Sequence, residues 1–515
     1  MRNLLAVTFL GAGCAFAAPG DIDLSFGQAG FALLPAGPLA DRANSARFVT
    51  TDADGRVLAI GEAGHPTDGP EGPVRVFARF LPGGVADASL AGTGYLVDQP
   101  SLFTGHVGLR AYPVADGKTL LVEQHVALCW PPRAACSLAI STPYLFAQRI
   151  DAGGQVDPAY GVMATVSTDT VQQDVAVSPD GSLTIVGHQY PPIAPGIPGP
   201  PRFDVRGFDA KGQIYTPWIP TRAAWDCPSA ADTAANSAKM ARQADGRLLI
   251  VQQVATASGA NRLCVSRLNP DATLDESYGV GGRLRIDDAR FAGGAATIHA
   301  LAPRSGGGAV MILEAYSSPF PIARLKYLVW LTAGGDLDVS RGTQGVAGPL
   351  PLPIHLVEAV AVLPDDRILV AGFPSAIIQK IPFVPLDYAR PRILRLDADG
   401  QLDRGFGPTG EGYAPLVSLG RGIWPRHIHV GVTSEILVAG DAGEGDLSDA
   451  NATLRFAVAR LEGDPPPSHR GGIWGSGCGH TRHATPDPTL PALALLAASL
   501  LLARRFRRRG RNNRH

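Results

Sequence analysis

Short apolar runs recur along this chain, each entered from a tight turn. Val57-Leu58-Ala59-Ile60 follows Asp54-Gly55-Arg56, and Thr119-Leu120-Leu121-Val122 follows Asp116-Gly117-Lys118. Leu183-Thr184-Ile185-Val186 follows Asp180-Gly181-Ser182, Leu248-Leu249-Ile250-Val251 follows Asp245-Gly246-Arg247, and Ile368-Leu369-Val370-Ala371 follows Asp365-Asp366-Arg367. Degenerate versions sit near Gly307 and Glu435. Aliphatic and β-branched runs of this length predict strands. Asp-Gly between two of them predicts a hairpin, since glycine takes positive φ without a Cβ clash.

A second signature alternates with the first. Leu268-Asn269-Pro270-Asp271-Ala272-Thr273-Leu274-Asp275-Glu276-Ser277-Tyr278-Gly279 is one copy, and Leu396 to Gly407 is another. Weaker copies centre on Asp87, Asp157 and Asp338, and the weakest on Tyr215. Together the two signatures mark seven units of roughly sixty residues, and self-similarity at a fixed period governs the fold. Each unit predicts about four strands. A lone four-stranded meander cannot cover both its faces, whereas seven packed face to face around an axis can. The last unit stops after Leu454 to Leu461 without a fourth strand, while Gly20 to Pro35 is a fourth strand without a unit. Joined, they close the ring. The expected fold class is therefore all-β: a seven-bladed β-propeller closed by the N-terminal strand joining the last blade, plus a C-terminal linker and a short hydrophobic helix.

The pattern Leu24-Ser25-Phe26-Gly27, then Asp-Gly-Arg/Lys before an apolar run, then Arg-Leu before Gly-x-Leu-Asp, resembles the bacterial delta-60 repeat over roughly residues 20–463. The resemblance implies a propeller-like architecture. It brings no catalytic residues with it.

The chain has 515 residues, 61 Gly, 44 Pro and 18% charged residues, which suits a turn-dense all-β protein. Without Arg2 and the seven arginines after Ala503, 37 basic residues face 46 acidic ones. That balance argues against nucleic acid as a partner, because binding it needs a basic face.

Both ends read as addresses. Residues 1–17 predict a signal peptide: Arg2, an apolar core from Leu4 to Leu10, and a small-x-small cleavage site at Ala15 and Ala17. Cys14 raises a lipoprotein alternative, but Gly11 stands where a lipobox wants Leu. The propeller would then occupy residues 18–463. Residues 464–487 predict a Pro/Gly-rich linker containing Cys478, and residues 488–509 a hydrophobic helix with a basic tail that includes Arg504 and Arg505. The apolar run is short for a permanent span, which needs about 20 residues. Its arginines would stay cytoplasmic. Cys478, the segment Asp487-Pro488-Thr489-Leu490-Pro491, the short apolar run and the basic end resemble tripartite C-terminal sorting signals of Gram-negative bacteria, most nearly the JDVT-CTERM type, with MYXO-CTERM as a relative. That resemblance implies transient anchoring in the inner membrane, a membrane sorting protease as partner, cleavage near Cys478, and delivery to the cell surface. A plain C-terminal anchor is the simpler alternative.

Candidate chemistry is sparse. In an exported chain Cys129, Cys136, Cys227 and Cys264 are disulfide candidates, Cys129 with Cys136 and Cys227 with Cys264. His427 and His429 alternate on one strand and share a face, which suits packing as well as metal binding. Cys478, His480 and His483 form a comparable set within the linker. Asp52-Ala53-Asp54-Gly55 and Asp397-Ala398-Asp399-Gly400 resemble the start of a calcium loop, but strand follows at once and no distal Glu completes a site. Turn formation explains them better. No metal or cofactor is expected. No nucleophile elbow, phosphate loop or His-Glu-x-x-His occurs. Two carboxylates brought together from separate blades remain open as a glycoside-cleaving pair. Long insertions at 125–144, 189–202 and 372–391 would share one rim, with Trp130, Tyr144, Tyr190, Phe373, Phe383 and Tyr388 as candidate exposed aromatics. The reading that follows is an exported, non-enzymatic binding or structural protein with an extracellular or envelope protein or a glycan as partner. The alternatives are a secreted glycoside hydrolase or lyase, or a sugar-binding lectin.

Overall fold

A computed structural model of the chain describes residues 18–34, 44–63, 74–98, 106–126, 143–160, 163–165, 170–189, 192–194, 197–198, 202–213, 232–256, 261–271, 273–287, 296–316, 324–374, 390–418, 421–431, 433–444 and 454–464. They lie within one compact unit, Ala17–Pro466, and are strands and turns with a single three-residue 3-10 turn.

The strands form seven antiparallel meanders, the blades of a β-propeller. Blade 1 holds Asn44–Thr51, Val57–Ala63, Val74–Phe80 and Tyr95–Asp98. Blade 2 holds His106–Pro113, Thr119–Val126, Pro143–Ile150 and Met163–Thr165. Blade 3 has Thr170–Val177, Leu183–Gln189 and Arg202–Phe208, with a small hairpin of Pro192–Ala194 and Ile197–Pro198 between the last two. Blade 4 is Asp232–Arg242, Leu248–Thr256, Asn261–Leu268 and Arg283–Ile286; blade 5 is Ala296–Pro303, Ala309–Tyr316, Arg324–Leu331 and Val346–Ala347. Blade 6 is Leu356–Val362, Ile368–Phe373, Arg392–Leu396 and Tyr413–Pro415. Blade 7 takes Arg421–Val430, Ile436–Glu444 and Arg455–Leu461 from the end of the chain and Phe31–Leu33 from its start. Phe31 pairs with Ala459, Ala32 with Val458 and Leu33 with Ala457. The first strand of blade 7 lies against that of blade 1, which closes the ring.

The apolar runs are continuous because each blade is buried on both faces. Val310, Ile312, Leu328 and Trp330 of blade 5 pack on blade 6, while Met311, Leu313, Val329 and Leu331 pack on blade 4. The core is accordingly seven separate clusters, one in each gap between blades.

The second sequence signature builds a rivet at the edge of these gaps. Arg267 donates from Nε to Asp275 (2.7 Å), lies over the Tyr278 ring (4.5 Å) and donates from Nη1 to the Ala333 carbonyl in the next blade (2.6 Å). Arg149 does the same with Asp157, Tyr160 and Ala210. Arg79 reaches Asp87 and Ala152, and Arg460 reaches Asp23, Phe26 and Pro82. Arg395 pairs with Asp403 and lies over Phe406, and its Nη1 bonds Asp464, just past the last strand of blade 7. The other carboxylate oxygen of each Asp accepts a backbone N–H two residues on, for example Ser277 on Asp275 and Gly405 on Asp403. Blade 5 has Trp330 at the arginine position, and there Arg304 and Arg341 pair with Asp338 instead.

Candidate functional site

The meander puts the first-to-second turns, and the third-to-fourth turns of the four-stranded blades, on one face and the second-to-third connections on the other. The seven first strands line the central channel. Their regular pairing is interrupted by a β-bulge, between Ala46 and Phe48 in blade 1, Gln172 and Asp174 in blade 3, Ile298 and Ala300 in blade 5, Val357 and Ala359 in blade 6, and Pro425 and His427 in blade 7. The extra residue is left out of the ladder. In blades 1, 5, 6 and 7 it is Arg47, His299, Glu358 or Arg426, and each lines the channel.

A Gly on the second strand gives the bulge room. A Cβ on Gly61, Gly372 or Gly440 would lie 1.8 to 1.9 Å from the carbonyl oxygen of Ser45, Leu356 or Trp424. The residue after that position then meets the bulged one. Arg47 bonds Glu62 (3.2 Å) and Arg426 bonds Asp441 (2.9 Å); in blade 5, where Leu313 replaces the Gly, His299 Nε2 stands 3.8 Å from Glu314. All three pairs are fifteen residues apart. Blade 6 has Phe373 at the second position, so Glu358 leans on Arg426 of the next blade at 3.7 Å.

The channel encloses about 590 Å³ and receives residues from every blade. Arg47, Arg110, Lys239 and Arg426 face Glu62, Asp174 and Glu358, with Phe48, Val175, Met240, Leu301 and Val360 between them. Arg110 Nη2 bonds Asp174 Oδ1 at 2.9 Å, and Asp174 Oδ2 accepts the Met240 N–H at 2.9 Å. Burial raises the pKa of Glu358 against the pull of Arg426. Burial, with Arg110 and His429 nearby, lowers His427 to about 3. Burial alone would raise Glu314, but His299, Lys326 and Arg324 outweigh it and bring it to about 2. The arrangement is a polar socket of closely spaced donors and acceptors.

Of the residues singled out in the sequence, His427 lines the channel, but its ring is taken up by packing. His427 stacks on Phe48 (4.1 Å between centroids) and accepts the Val49 N–H on Nδ1, and His429 bonds Thr51. No group of three metal ligands occurs among the described residues. Asp52 caps its own turn, accepting the N–H groups of Asp54 and Arg56. Phe373, expected at an exposed rim, is buried against Trp424 (4.6 Å). Cys264 is buried on the third strand of blade 4, and among the described residues no cysteine is free. Cys129, Cys136 and Cys227 lie outside the described residues, as do Ala15, Ala17, Cys478, Asp487, Pro488, Thr489, Leu490, Pro491, Arg504 and Arg505. Among the described residues no helix is long and apolar enough to cross a membrane.

The family model described as a domain of unknown function (DUF5122) β-propeller matches residues 243–278 and 386–406. The match and the seven-bladed ring agree with the propeller-like architecture that the delta-60 resemblance implies. The first match runs through the hairpin of blade 4 to Tyr278, and the second ends at Phe406, the ring under Arg395. No curated protein matches the sequence. Among solved structures the chain is similar to a GH93 α-L-arabinofuranosidase of Fusarium graminearum with arabinobiose, at 11% identity over 68% of this chain and 92% of that one, TM-score 0.37. It is similar to a PL25 ulvan lyase at 9% identity over 87% and 95%, TM-score 0.41. It is also similar to the intramolecular trans-sialidase from Ruminococcus gnavus in complex with oseltamivir carboxylate, at 11% over 82% and 96%, TM-score 0.36. Likeness this loose carries no argument about chemistry.

Proposed function

We propose that the protein is a non-enzymatic, exported binding propeller that takes a polyhydroxylated ligand, a glycan, in its central socket. The observation that carries this is the pairing of the socket's carboxylates: Glu62 with Arg47, Asp174 with Arg110 and Glu358 with Arg426. An arginine bonded to a carboxylate fixes its orientation and leaves its remaining lone pairs free to accept. The same pair offers a hydroxyl both an acceptor and donors. The volume lies within the range of small-ligand pockets, about 300–1,000 Å³. Signal cleavage at Ala15 and Ala17, sorting at Cys478 and pairing of Cys227 with Cys264 belong to the same proposal. They rest on the sequence.

A hydrolase or lyase has one observation in its favour. Glu358 has the longest of these three ion pairs and a raised pKa, which suits a proton donor. A glycan array followed by incubation of the bound glycans with the protein separates the two. Binding with the glycans recovered intact supports the binding reading. Chain cleavage that Glu358→Gln abolishes would replace it with the enzymatic one.

A further inference from the structure

Lys239 is the socket cation without an ion-pair or hydrogen-bond partner among the described residues. Arg47, Arg110 and Arg426 each answer a carboxylate. Lys239 stands in the same channel, next to Met240, whose N–H is bonded to the Asp174 that Arg110 already holds. It is half-buried, and burial together with Arg110 works against its charge while Asp174 favours it. Keeping an ammonium where solvation is reduced and no anion is bound costs free energy, which an incoming anion recovers.

We propose that the ligand of the socket is a sugar acid, with its carboxylate on Lys239 beside Arg110 and its hydroxyls on the neighbouring ion pairs. This rests on the glycan reading above and adds the ligand's charge. The excess of acidic residues between Arg2 and Ala503 does not favour it, so the preference must come from the local group. Arg110 can donate to a shared carboxylate without leaving Asp174, because its guanidinium has five N–H groups. Lys239 supplies a point charge with no fixed direction, which suits the single carboxylate of a uronic acid.

The probes are D-glucuronate and D-glucose, which differ at one carbon, measured on the purified protein by ligand-observed NMR titration. The expected result is that glucuronate binds about tenfold or more tightly than glucose, the size of one charge-assisted contact. Lys239→Gln should bring the two affinities within about twofold of each other, and Lys239→Arg should keep the preference. Melting curves of both variants check that the ring is intact. Equal binding of the two sugars to the parent protein, or a preference that survives Lys239→Gln, overturns the inference and leaves the glycan reading standing. Failure of both sugars, together with a blank glycan array, overturns the glycan reading and the inference with it.

Discussion

Arg267 meets three demands with one side chain, and that explains why the signature is an arginine followed eight residues later by an aspartate. Its Nε needs the Asp275 carboxylate, its face needs the Tyr278 ring, and its Nη1 reaches the next blade. A lysine has neither the fork nor the plane. Asp275→Ala would leave a guanidinium that is only 6% exposed without its counter-ion. Loss of about 3–5 kcal/mol is expected, read as a shift in the urea midpoint. The same carboxylates set the acid limit. Burial raises Asp23, Asp87, Asp275 and Asp403, but hydrogen bonds and arginine charges outweigh it, so all four lie below their usual value of 3.8; Asp157, held first by Lys118, falls to about 2. A depressed folded pKa gives stability that is present above pH 3.8 and lost as pH falls through the folded value. The melting temperature should therefore start to fall below about pH 6.5, where His427 is neutral in the fold but charged in the unfolded chain, and fall more steeply between about pH 4 and 2 as these carboxylates are protonated. A single Asp157→Asn variant should flatten part of that fall. An unchanged slope would mean that other groups dominate.

At the scale of the strand, the bulge decides what faces the channel. Ala46 and Val49 share one cluster although they are three residues apart, and so do Ile298 and Leu301. Strict alternation cannot do that, and Arg47 and His299, left out of the ladder, are turned to the axis. Here the sequence and the structure part. Hairpins, blade number and ring closure were legible because they depend on periodicity and turn residues, which local sequence carries. Arg47, Glu358 and Arg426 were not, since alternation assigns them to a face that the bulge then changes. The signal was nonetheless present in the fifteen-residue spacing of Arg47 with Glu62 and Arg426 with Asp441, and in the Gly before each acid. Lys239 had no such marker, because its role depends on what its neighbours already hold. Gly440→Ala tests the device. Its Cβ would press on the Trp424 carbonyl, so the bulge must shift or the strand must part. About 1–3 kcal/mol of destabilisation is expected, with a shift in tryptophan emission. A parent-like melting curve and spectrum would show that the bulge tolerates the methyl group.

Across the whole molecule, every blade depends on two neighbours, and the strand Phe31–Leu33 completes the blade at which the ring closes. Its neighbourhood is tied in several ways. Phe26 and Phe31 are buried, Arg460 rivets Asp23, the Gly20 N–H donates to the Glu462 carbonyl while the Glu462 N–H donates to the Asp21 carbonyl, and the Gly27 N–H donates to the Gly83 carbonyl of blade 1. Removing residues 18–34 takes away two buried phenylalanines, each contributing about 1.5–3 kcal/mol. It also bares the edge of Arg455–Leu461, with Ala457, Val458 and Ala459 unpaired. The truncated protein should melt at lower temperature and self-associate, and a synthetic peptide of residues 18–34 should bind the bared edge by strand addition and restore the melting temperature. Its binding should weaken when Asp23 is replaced by Ala, since that leaves Arg460 without its partner. If the truncated protein melts like the parent, closure contributes nothing to stability and the ring is held by the inter-blade clusters alone. If it is destabilised but the peptide does not rescue it, the seam forms only while the chain folds, and the two ends are bound kinetically rather than at equilibrium.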